Sequence, residues 1–453
     1  MKKNKYLFFA AIWIVNLTIL NAQSNYDLLI KNVSIIEVKT GKSIPGQNVY
    51  INSGRIVKIT KASTAASNAK TTIDGAGKFL IPGLWDMHTH NWWNLHFSNY
   101  YVANGVLGVR NMYTPMNFIT PLKDSINQNL IIGPKYYAAG RVLEGKKPDY
   151  PDWLVVDSLH KIRPALDTLQ SEGSDFVKVY NKIPREVYFE LIKEANKRGM
   201  SVQGHLPMAV TAEEASNAGQ KSFEHLLGIP DMCTHDQLFQ KKYGFNWYAA
   251  VLNEDDYGTV DIDENLAKKT LQTLKKNQTY VCPTLCVWYS LLHPDLPFES
   301  DPKVKLFPAE MTDFWKNMLG NFRKRDSTFK QMALKKYDNL KKVTYLLYKN
   351  GVSLLAGTDA MNPYCYPGYS LHRELELLKD CGIPNAEILK MATINPATFM
   401  GLTDYGEVKV DFVASLVLLD ENPLKDISNT QKIHAVILKG RLFEKKELTI
   451  SRN

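Results

Sequence analysis

The chain has 453 residues, of which 45% are hydrophobic and 22% are charged, values close to the average for globular proteins. This composition excludes a fibrous repeat and wholesale disorder, and the length suits one large α/β domain with an accessory unit, or two to three ordinary domains. The formal net charge is +9, but the lysines and arginines form no dense cluster, so we expect no nucleic-acid partner. The five cysteines are an odd number and do not indicate a disulfide framework.

Residues 1–22 have the pattern of an export signal. Lysines are frequent among the first five residues, the stretch 7–20 is almost wholly apolar, and Ala22 offers a small residue for cleavage. Because this apolar run is shorter than the roughly 20 residues of a membrane span, cleavage is favoured over an anchor that stays attached. No second apolar run of that length follows in the sequence. We therefore predict an exported protein, periplasmic or extracellular, with no membrane association after cleavage.

Both ends of the remaining chain have the alternating pattern of β-strands. Residues 27–60 alternate apolar and polar side chains, and a Ser-Gly pair within them is placed as a tight hairpin turn. The same alternation returns at 414–443. These patterns predict one small β-sandwich domain that is built from both termini, residues 23–81 and 400–453.

The middle of the chain, residues 82–399, alternates short apolar segments with helical patterns. Strand–helix alternation is typical of a parallel sheet, and eight such strands predict a (β/α)8 barrel of the TIM type. The candidate strands are 84–90, 106–111, 135–139, 176–180, 201–205, 222–225, 280–284 and 352–358. The stretch 231–345 is long for the crossovers that it contains, and we expect it to form a helical lid over the mouth of the barrel.

Several residues that are suited to metal binding fall on these strands. In a barrel of this type the working side chains project from the C-terminal ends of the strands. His88 and His90 are two residues apart at the end of the first strand and therefore face the same way. Lys178 lies in an otherwise apolar strand. Three more of these residues each end a strand: His205, His225 and Asp359. Each residue alone is a weak signal, but their order and spacing together indicate one metal site.

Other residues are candidates for the surroundings of this site. Arg110 ends the second strand, where it can either bind a substrate carboxylate or form an ion pair inside the barrel. Tyr180 faces the same side as Lys178 and either contacts the substrate or packs. Trp92 lies two residues after His90 and either lines an apolar substrate pocket or packs under the lid. For His372 we expect a structural hydrogen bond.

The segment 82–90, Pro-Gly-Leu-Trp-Asp-Met-His-Thr-His, resembles the opening motif of the amidohydrolase superfamily. The resemblance continues through the later metal-suited residues and into Met-Ala-Thr-Ile-Asn-Pro-Ala at 391–397. Around His205 and His225 the sequence is similar to the imidazolonepropionase-like and Xaa-Pro dipeptidase-like branch. The tail departs from the family pattern at 412–416, which concerns the terminal β-domain rather than the metal site.

This resemblance implies a centre of two divalent metal ions, and the imidazole-rich set of ligands suits zinc. His88, His90 and Asp359 would hold one ion, and His205 and His225 the other. Lys178, carboxylated by carbon dioxide, would bridge the two ions as a carbamate. The resemblance also implies a metal-activated hydroxide as nucleophile. Asp359 is then the catalytic residue that orients this hydroxide, accepts its proton and passes the proton to the leaving amine.

The predicted function is that of an exported metal-dependent hydrolase that cleaves an amide C–N bond of a small molecule, a dipeptide such as Xaa-Pro or an N-acyl amino acid. One alternative is a mononuclear cyclic-amide hydrolase or deaminase, against which Lys178 argues because mononuclear members generally lack that lysine. Further alternatives are a lactonase or phosphoesterase and a non-catalytic binding protein, which would be expected to lose metal ligands. The sequence leaves open the native metal, the substrate side chain and whether the chain forms a homo-oligomer.

Overall fold

The computed structural model describes residues 26–90, 97–115, 118–128, 130–234 and 262–444. The predicted signal peptide, Trp92 and the segment 235–261 of the predicted lid lie outside the described residues. Within the described ranges, no helix combines the length and the apolar character that crossing a membrane requires.

The described residues form strands and helices that alternate through the middle of the chain. The strands are β1 (Tyr26–Glu37), β2 (Lys42–Asn52), β3 (Arg55–Lys61), β4 (Ala69–Asp74), β5 (Phe79–Pro82), β6 (Leu84–Thr89), β7 (Val106–Asn111), β8 (Lys135–Ala138), β9 (Leu143–Glu144), β10 (Leu154–Val155), β11 (Val177–Val179), β12 (Val202–Gly204), β13 (Ser222–Glu224), β14 (Tyr280–Cys282), β15 (Leu416–Leu419), β16 (Ile433–Leu438) and β17 (Arg441–Glu444). The α-helices are α1 (Phe97–Ala103), α2 (Ile119–Asn127), α3 (Ile162–Ser171), α4 (Arg185–Lys197), α5 (Ala212–Ala218), α6 (Glu264–Lys276), α7 (Leu285–Leu292), α8 (Ala309–Arg323), α9 (Ser327–Lys349), α10 (Tyr369–Asp380), α11 (Asn385–Met391) and α12 (Ile394–Phe399). Short 3-10 helices occupy Leu159–Lys161, Pro230–Cys233, Phe298–Ser300, Pro302–Leu306 and Ile427–Gln431.

The local sequence explains why a helix such as α4 forms where it does. Pro184 precedes its first residue, a position at which the missing N–H of proline leaves no hydrogen bond unmade. The buried side chains Val187, Leu191 and Ala195 recur every four residues and give the helix one apolar face. The helix ends at Lys197, and Gly199 then adopts a positive φ of 70° that turns the chain back. This apolar face packs in the core shared with the parallel strands.

One eight-stranded sheet contains residues from both ends of the described chain. Its order is β17-β16-β15-β5-β1-β2-β3, and β4 also pairs with β1. The two ends join where β15 lies antiparallel to β5, with Leu418 opposite Leu80. The sheet has a hydrophobic core of its own, which includes Ile30, Val49 and Ile437. Residues that are far apart in sequence therefore depend on each other to bury this face.

The strands of the middle region pair in parallel. One sheet has the order β6-β7-β8, and the other has the order β10-β9-β11-β12-β13-β14. Three isolated parallel bridges extend the pairing beyond these sheets: Ala139 with Phe176, Val281 with Leu354, and Thr89 with Ala360. Parallel strands expose their carboxyl ends at a common edge. Residues that follow β6, β11, β12 and β13 are therefore brought to the same side.

The predicted strand at 352–358 is not a regular strand, and this part of the sequence-based prediction is wrong. Only Leu354 makes a bridge, because the following backbone N–H groups bond to different parts of the chain. Leu355 donates to Val281 O, Ala356 donates to Met391 O, and Asp359 donates to the carbonyl of His88. The segment still lies between β14 and β6, and it delivers Asp359 next to His88.

Candidate metal centre

The strand ends place five of the six predicted metal ligands around one cavity of about 370 Å³, and the sixth, His88, is fully buried in β6. Lys178 lies in β11, and His205 and His225 directly follow β12 and β13. Gly204, which precedes His205, has a φ of 127°, and a Cβ atom there would lie 2.4 Å from Val179 O. Only glycine therefore fits at this close approach of the two strands.

The ligand atoms of His88, His225 and Asp359 all lie within 4.8 Å of one another. His90 Nε2 lies 2.9 Å from Asp359 Oδ1, and His88 Nε2 lies 3.4 Å from the same oxygen. The rings of His205 and His225 have their centroids 4.9 Å apart. The structure thus brings four histidines from three strand ends together with one carboxylate.

Some of these ligand atoms have lone pairs that are available to coordinate a cation. His88 Nε2 and Asp359 Oδ1 are buried, and neither makes a hydrogen bond within the described residues. A buried polar atom without a partner costs about 1–3 kcal/mol, and such atoms in native proteins call for a water or an ion. Imidazole nitrogens with a carboxylate oxygen are a donor set typical of zinc and related divalent metals. The residues present therefore fit a divalent metal ion.

The protonation states of these groups suit the same role. Burial lowers the pKa of His88, His205 and His225 well below the usual range, which keeps the imidazoles neutral, the form that binds metals. Burial raises the pKa of Asp359, but its interactions with His225, His90 and Lys178 outweigh that effect and leave a net lowering. Asp359 is therefore an anion at neutral pH.

A second set of side chains fixes three of these histidines through their Nδ1 atoms. The partners are Glu224 Oε2 for His88 (2.9 Å), Asn181 Oδ1 for His205 (2.8 Å) and Thr284 Oγ1 for His225 (2.7 Å). A carboxylate or amide oxygen can only accept, so Nδ1 of His88 and of His205 donates and Nε2 is left as the ligand atom. Such partners orient metal-binding imidazoles and set their tautomer.

Our sequence-based prediction did not include these three partners. Glu224 directly precedes His225, so its position beside a predicted ligand was the one available signal. Asn181 follows β11 and Thr284 follows β14, whereas the histidines that they hold follow β12 and β13, and a single sequence does not show which strands are neighbours.

Arg110 does not reach the cavity, and the structure favours the internal ion pair over the predicted contact with a substrate carboxylate. Its side chain is fully buried, and both of its terminal nitrogens are used. Nη2 donates to both oxygens of Glu224 (2.9 and 2.8 Å), and Nη1 donates to Gln203 Oε1 and Ser222 Oγ. Because Glu224 also accepts a hydrogen bond from His88 Nδ1, Arg110 holds in place the carboxylate that orients this predicted metal ligand.

Lys178 differs from Arg110 in having no partner. Its side chain is 2% exposed, lines the cavity, and makes no ion pair or hydrogen bond with any described residue. Burial lowers the pKa of its amine to about 8, although Glu224 and Asp359 partly oppose that shift. Because an unpaired buried ammonium is costly, a larger fraction of this amine is neutral near pH 7 than in an exposed lysine.

A second group of possible ligand atoms, His88, Glu224 and Cys282, lies behind the first. Glu224 is already paired with Arg110 and with His88. Burial raises the pKa of the Cys282 thiol well above its usual value, so the thiolate that a metal requires is disfavoured. We therefore assign the metal centre to the group that contains Asp359.

Strained backbone accompanies the site. His225 and Asp359 have positive φ values of 61° and 59°, and Thr284, the partner of His225, has a φ of 49°. Non-glycine residues rarely adopt this conformation, which costs about 1–3 kcal/mol and concentrates at functional sites. This strain indicates that His225, Asp359 and Thr284 are positioned for a function at the site rather than for packing alone.

The remaining candidates have different surroundings. Tyr180 lines the cavity, and its ring stacks on His205 with a centroid distance of 4.0 Å. The prediction for Trp92 falls outside the described residues. His372 is buried away from the cavity, where its Nε2 donates to Asn104 O (3.0 Å) and its Nδ1 lies 2.9 Å from Thr430 Oγ1. These contacts agree with the structural role that was expected of His372.

Comparison with known proteins gives a match to one family model and matches to relatives over short stretches of sequence. The model of the amidohydrolase family matches residues 334–443. Over 64 residues the chain is 34% identical to an adenine deaminase of Chelativorans sp. (strain BNC1). This aligned part is 14% of the chain and only 11% of the relative, so the chain spans about a ninth of the length of that curated relative.

Solved structures are similar over almost the whole chain. A bottromycin amidohydrolase matches with a TM-score of 0.73 and 20% identity, covering 93% of this chain and 87% of that one. A Xaa-Pro dipeptidase with bound methionine in its active site matches with a TM-score of 0.67 and 18% identity, covering 92% and 99%. Identities this low show a shared fold. Together with the family match at 334–443, they confirm the resemblance to amidohydrolases that the sequence indicates.

Proposed function

We propose that this protein is a metal-dependent hydrolase that cleaves an amide C–N bond in a small molecule, a dipeptide such as Xaa-Pro or an N-acyl amino acid. The observation that carries the proposal is the group His88, His225 and Asp359, whose ligand atoms lie within 4.8 Å of one another beside a cavity large enough for such a substrate. The neighbouring solved structures support the proposal through their fold.

The metal centre would contain two divalent ions, with zinc as the first candidate. His88, His90 and Asp359 would hold one ion, His205 and His225 the other, and Lys178 would bridge them. Support comes from the buried His88 Nε2, which makes no hydrogen bond within the described residues, from the convergence of His88 Nε2 and His90 Nε2 on Asp359 Oδ1, and from the neutral state of the buried imidazoles. When bound, such an ion polarises a carbonyl oxygen and lowers the pKa of a water.

Asp359 has the position and charge for proton transfer. Its Oδ1 is buried 2.9 Å from His90 Nε2, and its carboxylate is anionic at neutral pH. The carboxylate can accept a proton from an attacking water and return the proton to the leaving nitrogen when the C–N bond breaks. Glu224, Asn181 and Thr284 keep the imidazoles in place while this happens, so little reorganisation accompanies the reaction.

Lys178 would enter the site as a carbamate. The ammonium first loses one proton to solvent, and the neutral amine then attacks carbon dioxide. The N–C bond forms as one C=O π bond breaks, and a second proton leaves the nitrogen for solvent, so that the side chain becomes an anion with two oxygen donors. The support is the environment of Lys178, which lines the cavity, is 2% exposed and has no described partner. A carbamate beside divalent cations removes the cost of an unpaired ammonium there.

The finer architecture and the export route belong to the same proposal. The parallel bridges Ala139–Phe176, Val281–Leu354 and Thr89–Ala360 support a closed (β/α)8 barrel, because each joins neighbouring segments of the predicted barrel. The terminal sheet, with its own hydrophobic core, supports a small β-domain built from both termini, and helix α8, whose Met311 and Phe314 line the cavity, supports the predicted lid. Export to the periplasm or the medium rests on the sequence of residues 1–22.

A second candidate, a deaminase with one metal, is favoured by the 64-residue match to adenine deaminase. Metal content and turnover separate the two functions. The full chain is purified, its metal is measured by mass spectrometry, and hydrolysis of Xaa-Pro dipeptides, N-acyl amino acids and adenine is followed before and after chelation. We expect about two ions per chain and chelator-sensitive release of free amine from the amides. One ion with turnover of adenine would replace our proposal with the deaminase, and a chain that binds no metal and turns over none of these compounds would refute both.

A further inference from the structure

A row of aromatic side chains, here called the aromatic wall, lines one side of the cavity at the metal centre. It consists of Tyr150, Tyr113, Trp153 and Tyr180. Neighbouring rings are in contact, with centroid distances of 5.8 Å for Tyr113–Tyr150, 6.0 Å for Tyr113–Trp153 and 4.7 Å for Trp153–Tyr180. The wall therefore presents one continuous apolar surface.

The aromatic wall ends at the proposed metal ligands. Tyr180 stacks on His205 with a centroid distance of 4.0 Å. At the other end Tyr150 is 49% exposed, whereas Trp153 is 7% exposed. A group that enters past Tyr150 and lies against Trp153 is consequently separated from His205 by the single ring of Tyr180, and is therefore close to the proposed metal ligands.

The aromatic wall is held rigidly before any ligand arrives. The hydroxyl of Tyr113 lies 2.8 Å from both carboxylate oxygens of Asp152 and donates to that carboxylate. Trp153 and Tyr180 meet edge to face, with an angle of 70° between their rings. A surface that is ordered in advance loses little side-chain entropy on binding, so contacts with it contribute more fully to affinity.

The other side of the cavity includes the more flexible side chains of two methionines. Met311 and Phe314 of α8 and Met361, two residues after Asp359, line it. Methionine is flexible and polarisable, so this side can adjust to the thickness of a group that lies on the aromatic wall. Trp153 Nε1 is buried and makes no hydrogen bond within the described residues, which leaves an N–H donor for a polar atom of a ligand.

We infer that the aromatic wall selects amide substrates that carry a flat aromatic side chain or acyl group next to the scissile C–N bond, and that Trp153 is the main specificity residue. This inference rests on the proposed function and names the substrate class of the same site. Edge-to-face and stacked contacts favour aromatic rings over saturated rings of the same size.

The test compares Ala-Pro, cyclohexylalanyl-Pro and Phe-Pro as substrates, together with the matching N-acetyl, N-cyclohexylacetyl and N-phenylacetyl alanines. The full metal-loaded chain should show a kcat/KM about 10- to 100-fold higher for the phenyl than for the methyl compound, which is the effect of burying one large apolar side chain. The cyclohexyl compounds should fall below the phenyl compounds by about twofold or more.

Three variants assign the preference to the aromatic wall. Trp153→Ala should reduce the phenyl-over-methyl ratio to about threefold or less, mainly through KM, whereas Trp153→Phe should keep most of it. Tyr150→Ala, which changes a half-exposed residue with little risk to folding, should lower the ratio by a smaller amount. Tyr345→Ala, an exposed aromatic of α9 that lies away from this cavity, should leave the ratio unchanged.

The outcomes separate this inference from the proposed function. Equal turnover of methyl and phenyl compounds, or an unchanged ratio in Trp153→Ala, would overturn the inference and leave the hydrolase proposal in place. If no amide is cleaved, the proposed function fails, and binding decides the inference by isothermal titration with the N-acyl alanines. Equal affinity for the N-acetyl and N-phenylacetyl compounds would then overturn it.

Discussion

The ion pair between Arg110 and Glu224 leads to a quantitative prediction about stability. Both side chains are fully buried, and Arg110 also donates to Met87 O, Gln203 and Ser222. Replacing Arg110 with Met fills similar space but leaves the Glu224 carboxylate without its counter-ion in the interior. Removal of one partner from a buried ion pair typically costs about 3–5 kcal/mol. Since Ser222 and His88 still donate to Glu224, we expect the lower half of that range, about 3–4 kcal/mol.

Arg185→Met is the matched control. Arg185 also pairs with a glutamate, Glu214, but its side chain is 50% or more exposed, and the side chain of Glu214 is 38% exposed. Exposed ion pairs contribute about 0–1 kcal/mol. Guanidinium unfolding, followed by tryptophan fluorescence and circular dichroism, should therefore separate the two variants clearly. Arg110→Lys should fall between Arg110→Met and the parent protein, because an ammonium keeps the charge but loses the fork of two parallel hydrogen bonds.

Activity provides the second measurement for Arg110. Because Glu224 orients His88, we expect Arg110→Met to lower metal affinity about 10-fold or more, an effect typical of a lost partner behind a metal ligand. KM measured at saturating metal should change little. A raised KM with the free energy of unfolding within about 1 kcal/mol of the parent would refute the internal ion pair and restore the contact with a substrate carboxylate.

Four further predictions concern separate parts of the chain. Asp359→Asn should retain the fold and lose about 100-fold or more in kcat. The control Asp313→Asn, on the exposed face of α8, should leave kcat unchanged. Turnover by Asp359→Asn within about twofold of the parent would remove Asp359 from proton transfer. Lys178→Ala should lose metal and activity together, with partial rescue by a short carboxylic acid, whereas the exposed Lys268→Ala should change neither; full metal content in Lys178→Ala would exclude the bridge. Burial lowers the pKa of His372 to about 4, so the unfolded chain, with a histidine pKa near 6.5, takes up the proton first as the pH falls. Stability should therefore drop by up to about 3 kcal/mol between pH 6.5 and pH 4, and an equal slope in His372→Gln would contradict this assignment. Protein exported by the producing cell should begin near Gln23, and an intact N-terminal methionine in its mass spectrum would favour a retained anchor.

Periodicity in the sequence was enough to predict most of the parallel strands, and with them the strand ends at which the candidate ligands lie. The strand at 106–111 was predicted with the bounds of β7, and that at 176–180 contains β11 (Val177–Val179). Such short apolar segments, buried on both faces, are distinctive when helical patterns separate them. The segment at 352–358 has the same composition, but its N–H groups bond to three different neighbours, and no local pattern encodes that.

The partners of the histidines illustrate what a single sequence does not contain. Thr284 is 59 residues from His225, and Glu224 is 136 residues from His88. Their roles follow from the order of the strands around the site, which becomes visible only in three dimensions. The same reasoning applies to Arg110, for which the sequence left two roles open and the position of Glu224 decided between them.

The charges around the cavity make the proposed carbamate and the proposed metal ions depend on each other. With Lys178 as an ammonium, the buried cations Lys178 and Arg110 face the carboxylates of Asp359 and Glu224, and added divalent ions would meet an unscreened positive charge. With Lys178 as a carbamate and no metal, its new negative charge would instead repel Asp359 across the same cavity. Once divalent cations are bound, only the carbamate form of Lys178 places a negative charge next to them, and only the cations offset the repulsion between that carbamate and Asp359. Stripping the metal should therefore release carbon dioxide from Lys178, and removing bicarbonate should weaken metal binding, because the two equilibria share one coupling free energy.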